Sequence, residues 1–316
     1  MTQFCAQYSR KVDEPLAGTG AHPRTNLLLS WPIGSWTRTF HQAKNMSEDV
    51  SNRVKDLIDS GRRINLIHRA DQPGDRHRAY LMPEKQAFDI PHADIEAFLT
   101  ALYRGDSLDA WSIGEVRHKV VLCCTHGVKD KCCAKFGNAS FKALDAAATG
   151  YDGAFEIWQS THLGGCRLAS AALVFPDMHK YGRIDAEHVE GLLASEYDNH
   201  PYLPCYRGDG ALPPAQQIAD IEARRQLHAL GVRPRRVNIL SEERENEEVS
   251  RVDLQWHSET DQGRLTIDLE ALTSVRYATC ADIDDGEEPV AHPTWQPVST
   301  DAVQHCDPTD ADSLIS

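Results

Sequence analysis

The first third of the chain sets short apolar runs between polar turns, a pattern that predicts buried strands alternating with amphipathic helices. Asn26-Leu27-Leu28-Leu29-Ser30-Trp31 has the length and continuity of a buried strand. Ser47 then precedes a segment whose Val50, Val54, Leu57 and Ile58 share one helical face, and Gly61 closes it. Residues 64–68 and 79–82 read as two more strands. Residues 1–112 are thus expected to form a small α/β domain with no chemical motif of its own.

The pattern changes character from residue 113. A β-branched run at 119–122 ends in Cys123 and Cys124; a weak helix follows at 140–148 and a strand at 155–158 that stops short of His162. Another apolar run covers 171–175, and Asp185 caps a helix carrying Val189, Leu192 and Leu193. The order β-α-β-β-β-α over 113–200 is that of a thioredoxin-like layer, helices on a mixed sheet. Residues 201–276 open with a helix started by Leu212-Pro213-Pro214, striped by Ala219, Ala223, Leu227 and Leu230 and ended by Gly231. Strands at 237–240, 252–256 and 265–269 follow as a small antiparallel sheet, with the acidic stretch 242–248 as a loop. Residues 277–316 contain no Lys or Arg and are rich in acidic residues, Pro and Thr, which predicts a disordered tail. No internal repeat is visible.

Composition narrows the function. A net charge of −14 argues against a nucleic-acid partner, which needs a basic stripe. No run approaches the roughly 18 apolar residues of a membrane helix, and the first ten residues have no basic-then-apolar leader. A cytoplasmic, reducing setting is the expectation. There, nine cysteines at 5, 123, 124, 132, 133, 166, 205, 280 and 306 point to metal or catalysis rather than disulfides.

Cys124 and Cys133 flank eight residues of polar loop, and 28 residues after Cys133 comes Thr161-His162-Leu163-Gly164-Gly165-Cys166. Each iron of a [2Fe–2S] core has two sulfide bridges and takes two protein ligands, so two pairs from two loops are the expected supply. Gly164 and Gly165 would let backbone amides approach the sulfides and donate N–H···S bonds. Buried inert thiols and a structural zinc site compete with this reading, although an eight-residue spacing is long for zinc.

The segments Cys124-Thr125-His126-Gly127, Asp130-Lys131-Cys132-Cys133-Ala134, His162-Leu163-Gly164-Gly165 and Tyr181-Gly182-Arg183 closely resemble the sucrase/ferredoxin-like family. The likeness extends back to Glu14-Pro15-Leu16-Ala17-Gly18-Thr19 and forward to Tyr206-Arg207-Gly208, Leu212-Pro213-Pro214 and Gln217. It implies a thioredoxin-like [2Fe–2S] ferredoxin domain with an electron-transfer role. Fungal members of that family use two cysteines and a His-x3-His pair, whereas this chain has His162-x3-Cys166. The ligand set expected here is Cys124, Cys133, His162 and Cys166. With three thiolates an oxidised core carries about −1, between about 0 for two Cys with two His and about −2 for four Cys, and a potential between those of the two types. A free ring nitrogen on His162 would allow proton uptake on reduction.

His126 and Asp130 are expected to fix the loop, or else to be solvated polar residues. Arg167, Arg183 and Arg207 are candidates to balance the reduced charge, each with a plainer reading as an ion-pair residue. Cys123 and Cys132 read as packing neighbours, and Cys5, Cys205, Cys280 and Cys306 as incidental. Trp31, Trp36 and Trp158 read as core. No phosphate loop, G-x-S-x-G elbow or C-x-x-C occurs, and no carboxylate pair supports sucrase activity. The expected whole is an α/β chain with mixed sheets: an N-terminal α/β domain, a thioredoxin-like ferredoxin domain, then a helix with a small sheet. It is expected to exchange electrons with a redox partner protein rather than turn over a substrate. A thiol-based oxidoreductase and a zinc-stabilised interaction module are the alternatives.

Overall fold

A computed structural model describes residues 3–300 and the backbone of Gln304–His305. After a short helix α1 (Cys5–Lys11) the first apolar run becomes β1 (Asn26–Ser30), buried at every position. Helix α2 (Glu48–Asp59) starts where Ser47 Oγ accepts the Val50 N–H at 3.2 Å, and it buries Val50, Val54 and Leu57. Strands β2 (Arg63–His68), β3 (Arg76–Met82) and β4 (Gln86–Pro91), helix α3 (Ile95–Arg104) and β5 (Ser112–Glu115) complete the first part.

The second part repeats that order: β6 (Lys119–Cys124), α4 (Asn138–Ala148), β7 (Phe155–Ser160), β8 (Ala172–Phe175), β9 (His179–Tyr181) and α5 (Val189–Tyr197). In the first part β1 pairs parallel with β2 and antiparallel with β3, and β3 antiparallel with β4. In the second, β6 pairs parallel with β7 and antiparallel with β8, and β8 antiparallel with β9. The chain therefore holds two copies of one thioredoxin-like topology. The sequence shows no repeat because the copies share a pattern of strand pairings and not a set of residues. They meet edge to edge where β2 pairs antiparallel with β7, Ile67 opposite Ser160 and His68 opposite Gln159. One ten-stranded sheet results, and it runs unbroken past the expected boundary near residue 112. Its edges are β5 and β10 (Tyr206–Asp209).

The third part is α6 (Pro214–Ala229) against a small antiparallel sheet of β11 (Arg236–Arg244), β12 (Val249–His257) and β13 (Gln262–Arg276). Ala219, Ala223 and Leu227 of the helix meet Val252, Leu254, Trp256, Leu265 and Ile267 of the sheet. The acidic stretch 242–248 is not all loop, since β11 continues through Arg244. The expected disorder after 276 is also corrected. Helix α7 (Cys280–Asp284), capped by Thr279, and β14 (Val290–Thr300) follow, and β14 pairs with β13 along most of its length. A polar segment poor in core residues is ordered because the free edge of β13 satisfies its backbone and Cys280 anchors its start. β15 (Gln304–His305) also pairs with β13, whereas the remainder of the tail, Cys306 included, lies outside the described residues.

Alternation along β6 separates its side chains between two cores. Val120, Leu122 and Cys124 face Tyr80, Trp158 and Leu163, while Val121 and Cys123 face Leu144, Leu192 and Leu193 of the covering helices. Beneath the second face lies a buried charge cluster. Glu196 is fully buried and accepts from Lys119 Nζ at 2.6 Å, from His179 Nδ1 at 2.8 Å and from the Tyr181 hydroxyl. Burial opposes its charge, but His179 and Lys119 hold the carboxylate down at about 2.

Because that value lies below the unfolded one, the stabilisation from Glu196 is present above the ordinary carboxylate range and lost as pH falls through about 2. Glu196→Gln is expected to cost about 3–5 kcal/mol at neutral pH, as for one partner removed from a buried pair. The difference from the unmodified chain, followed by urea unfolding, should narrow from roughly pH 4.5 downward. A gap that stays constant to pH 2.5 would refute this assignment.

Candidate metal centre

Two loops leave the same end of the sheet because β6 and β7 run parallel, with Cys124 opposite Ser160 at their last residues. The first loop, 125–132, leads into a wide helical turn (Cys133–Gly137) that feeds α4. Gly137 is required there, since a Cβ on it would lie 2.0 Å from the Cys124 carbonyl oxygen. The second loop runs from Thr161 to the short turn Cys166–Leu168. Cys124, Cys133 and Cys166 are all buried in one apolar nest with Leu163.

The Cys133 thiol touches those of Cys124 and Cys166, and Cys166 Sγ lies 3.3 Å from His162 Nδ1. Among the described residues, these four do not form a group whose donor atoms all lie within 4.8 Å of one another. They form a row, Cys124 beside Cys133, Cys133 beside Cys166 and Cys166 beside His162. One tetrahedral ion wants four mutually close donors, whereas two adjacent metals want two pairs.

Contact with Cys133 and the backbone N–H groups of His126 and Leu163 lower the Cys124 thiol to about 7, against burial. Neither amide comes from Gly164 or Gly165, whose expected partners are the sulfides of a bound core. Both glycines are at positive φ, and a Cβ on Gly165 would lie 2.7 Å from Arg207 Nη2. Glycine here lets a guanidinium lie on the loop. Burial, then the charges of Arg63 and Lys129, push His162 down to about 3, so its imidazole is neutral and free to ligate. It is half-buried while the three thiols are buried, which places it at the outer rim.

His126 is fully buried, donates from Nε2 to the Thr37 carbonyl at 2.7 Å and accepts the His162 N–H on Nδ1 at 3.2 Å. It is the strut of the loop, and solvation plays no part. Asp130 is buried but bonds the backbone of Cys132 and Cys280, away from the four. Cys123 faces the other core and Cys205 lies apart; burial pushes both thiols up to about 12.

The cations are the feature sequence reasoning largely missed. Lys180 and Arg207 are each only 2% exposed, and Arg63 is half-buried. Lys180 Nζ reaches the Ala21 carbonyl at 3.2 Å, Arg207 bonds Thr19 and the Gly164 carbonyl, and Arg63 bonds the His162 carbonyl at 2.6 Å. Among the described residues none of the three has a carboxylate within 4.0 Å. Burial pushes Arg63 down to about 10 and Arg207 to about 9, and drives Lys180 well down; the Cys124 and Cys166 thiolates act in the opposite sense. Arg207 was legible from its motif. Arg63 comes from the part that carries no motif, and Lys180 from a short strand, so neither had a spacing to mark it. Arg167 instead pairs with Glu14 at 2.5 Å, and Arg183 bonds the Glu14 carbonyl; these two are structural.

A model of the sucrase/ferredoxin-like family matches residues 16–208. No curated protein matches the chain. Among solved structures, a thioredoxin-like [2Fe–2S] ferredoxin from Aquifex aeolicus matches at 17% identity, covering 28% of this chain and 95% of its own, with a TM-score of 0.26. A second structure of a ferredoxin of that description from the same organism covers 30% and 96%, at 17% identity and a TM-score of 0.28.

The fit of Arg207 over the loop makes Gly165→Ala a sensitive probe. It is expected to destabilise by about 1–3 kcal/mol through backbone strain and displacement of the guanidinium. Gly150→Ala, with nothing within 4 Å of the added methyl, should be neutral or slightly stabilising. Equal urea midpoints for the two variants would contradict the contact.

Proposed function

The chain belongs to the sucrase/ferredoxin-like family, and we propose that it is an electron carrier whose [2Fe–2S] cluster is held by Cys124, Cys133, His162 and Cys166. The observation that carries this reading is a set of buried basic side chains beside buried thiols. Three buried thiols and a neutral imidazole face Lys180, Arg207 and Arg63, cations with no carboxylate partner. Two buried cations left uncompensated would cost several kcal/mol each. Three thiolates on an iron–sulfur core would supply an anion beside these basic groups, and four donors spread in a row suit two adjacent metals better than one.

When bound, such a core takes up and releases one electron. The protein's part is to bind and to bias. The thiols are dry, so water has little access to the iron. Lys180, Arg207 and Arg63 favour the reduced, more negative state. His162, half-exposed at the rim, is the point where a redox partner protein would come closest. No helix among the described residues is long and apolar enough to cross a membrane.

Anaerobic purification with iron, sulfide and EPR analysis tests this directly. Two irons and two labile sulfides per chain are expected, lost in Cys124→Ser, Cys133→Ser and Cys166→Ser, and kept in Cys205→Ser. Colourless, iron-free protein would overturn the assignment, and a reversible change in thiol count without iron would assign thiol chemistry instead. Lys180→Met removes a positive charge beside the cluster, so reduction becomes harder. Its midpoint potential should fall by on the order of 60 mV, one tenfold step for a one-electron couple.

A further inference from the structure

Four residues that neither the spacing nor the cluster accounts for meet in a second buried nest. Cys5 opens α1, Cys132 ends the loop of the candidate centre, Cys280 opens α7, and Asp130 lies two residues before Cys132. Their donor atoms all lie within 4.8 Å of one another, and none of the four residues is more than 4% exposed. Cys5 and Cys280, expected to be incidental, and Cys132, expected to be a packing neighbour, are therefore partners across up to 275 residues of chain.

The distances are not those of idle packing. The sulfurs stand 3.1 Å (Cys132–Cys280), 3.5 Å (Cys5–Cys132) and 3.5 Å (Cys5–Cys280) apart. That is at or inside the roughly 3.5–4.0 Å of non-bonded carbons, and sulfur is the larger atom. It is far beyond the about 2.05 Å of a disulfide, and an odd number of thiols cannot all pair. Around a zinc ion, Zn–S bonds of about 2.3 Å set tetrahedral S···S separations near 3.8 Å, which small outward shifts of the three sulfurs reach.

The surroundings are those of anions. Backbone N–H groups point at two of the sulfurs, that of Cys5 at Cys280 Sγ (3.4 Å) and that of Ala6 at Cys132 Sγ. Asp130 receives the Cys132 N–H on Oδ1 at 2.8 Å and the Cys280 N–H on Oδ2 at 2.9 Å, and Oδ2 lies 4.0 Å from Cys5 Sγ. Among the described residues no Lys or Arg pairs with it. A carboxylate oxygen that accepts one hydrogen bond keeps a lone pair for a metal. The donors thus number three soft sulfurs and one oxygen, closed to solvent, as a structural zinc site requires.

We propose that Cys5, Cys132, Cys280 and Asp130 bind a structural Zn²⁺ ion that ties α1 and α7 to the loop bearing Cys133. Binding displaces the three thiol protons to solvent and involves no redox step. The site is independent of the iron assignment.

The test uses the full chain grown with added zinc sulfate, freed of loose metal with EDTA and analysed for zinc and iron together. About one zinc per chain is expected. Zinc should persist in Cys124→Ser and be lost in Cys280→Ser and Cys5→Ser, with Asp130→Asn weaker by on the order of 10–100-fold in competition against a chelator. Should the cysteine variants not fold, the unmodified protein still decides. Its Co²⁺-loaded form should show thiolate-to-cobalt charge-transfer absorption, and Cys5, Cys132 and Cys280 should resist alkylation until the metal is removed. Zinc-free protein, a disulfide between any two of the three cysteines, or zinc lost in Cys124→Ser but kept in Cys280→Ser would each overturn the site. The last result would place zinc in the iron centre, and unmodified protein that holds zinc but no iron would fail only the electron-carrier reading.

Discussion

Two backbone pairs at the seam between β2 and β7, Ile67 with Ser160 and His68 with Gln159, hold the arrangement on which the site depends. The seam continues past the strand end, where the Thr161 N–H donates to the Leu66 carbonyl and Thr161 Oγ1 accepts the Leu66 N–H at 3.0 Å. Asn65 and Arg63, the next residues along β2, then reach the His162 carbonyl. The loop carrying two of the four candidate ligands is thus fastened to the first thioredoxin-like copy, not only to its own. A half-molecule lacking β2 would leave that loop without its fastening and the site without Arg63.

Charge placement follows from the same architecture. The chain carries a net charge of −14, yet three basic side chains, Arg63, Lys180 and Arg207, surround the thiols. At long range solvent and salt screen the acidic surface; inside, Lys180 and Arg207 are dry, and burial together with repulsion from neighbouring guanidinium groups opposes the charge on both. Burial without a carboxylate disfavours the charged form of each, so two such basic groups beside thiols suit a site that receives an anion. The paired charges elsewhere make the contrast. Glu196 has Lys119 and His179, Glu14 has Arg167, and Asp220 has Arg224.

Local pattern made much of this legible. The strand at 26–31, the Ser47-capped helix, the β-branched run ending in Cys124 and the Pro214 helix start are all decided by short-range sequence. The tail was misread for the opposite reason: β14 has little apolar signal and is ordered by the edge of β13, a partner that composition does not reveal. The doubled topology escaped notice because strand pairing is a non-local property. Spacing identified the four candidate ligands, since each loop carries its pair within ten residues. It had no means of finding Lys180, Arg63 or the meeting of Cys5 with Cys280, where the contact distance in sequence is set by the whole fold.

Adjacency of Cys132 and Cys133 draws these strands together. Consecutive residues entering a helical turn point about 100° apart, so the two thiols face different neighbours. Cys133 turns toward Cys124 and Cys166, Cys132 toward Cys5 and Cys280. The loop between Cys124 and Cys133 is also pinned midway, by His126 to Thr37 and by Asp130 to Cys280. Few of its backbone freedoms remain. Thiolates held in place before any metal arrives lose little entropy on binding, and a frame that does not shift between charge states keeps the cost of reorganisation low. The doubled cysteine pairs flanking the loop therefore serve as a division of labour: at each pair one thiol faces the candidate centre and its neighbour faces away.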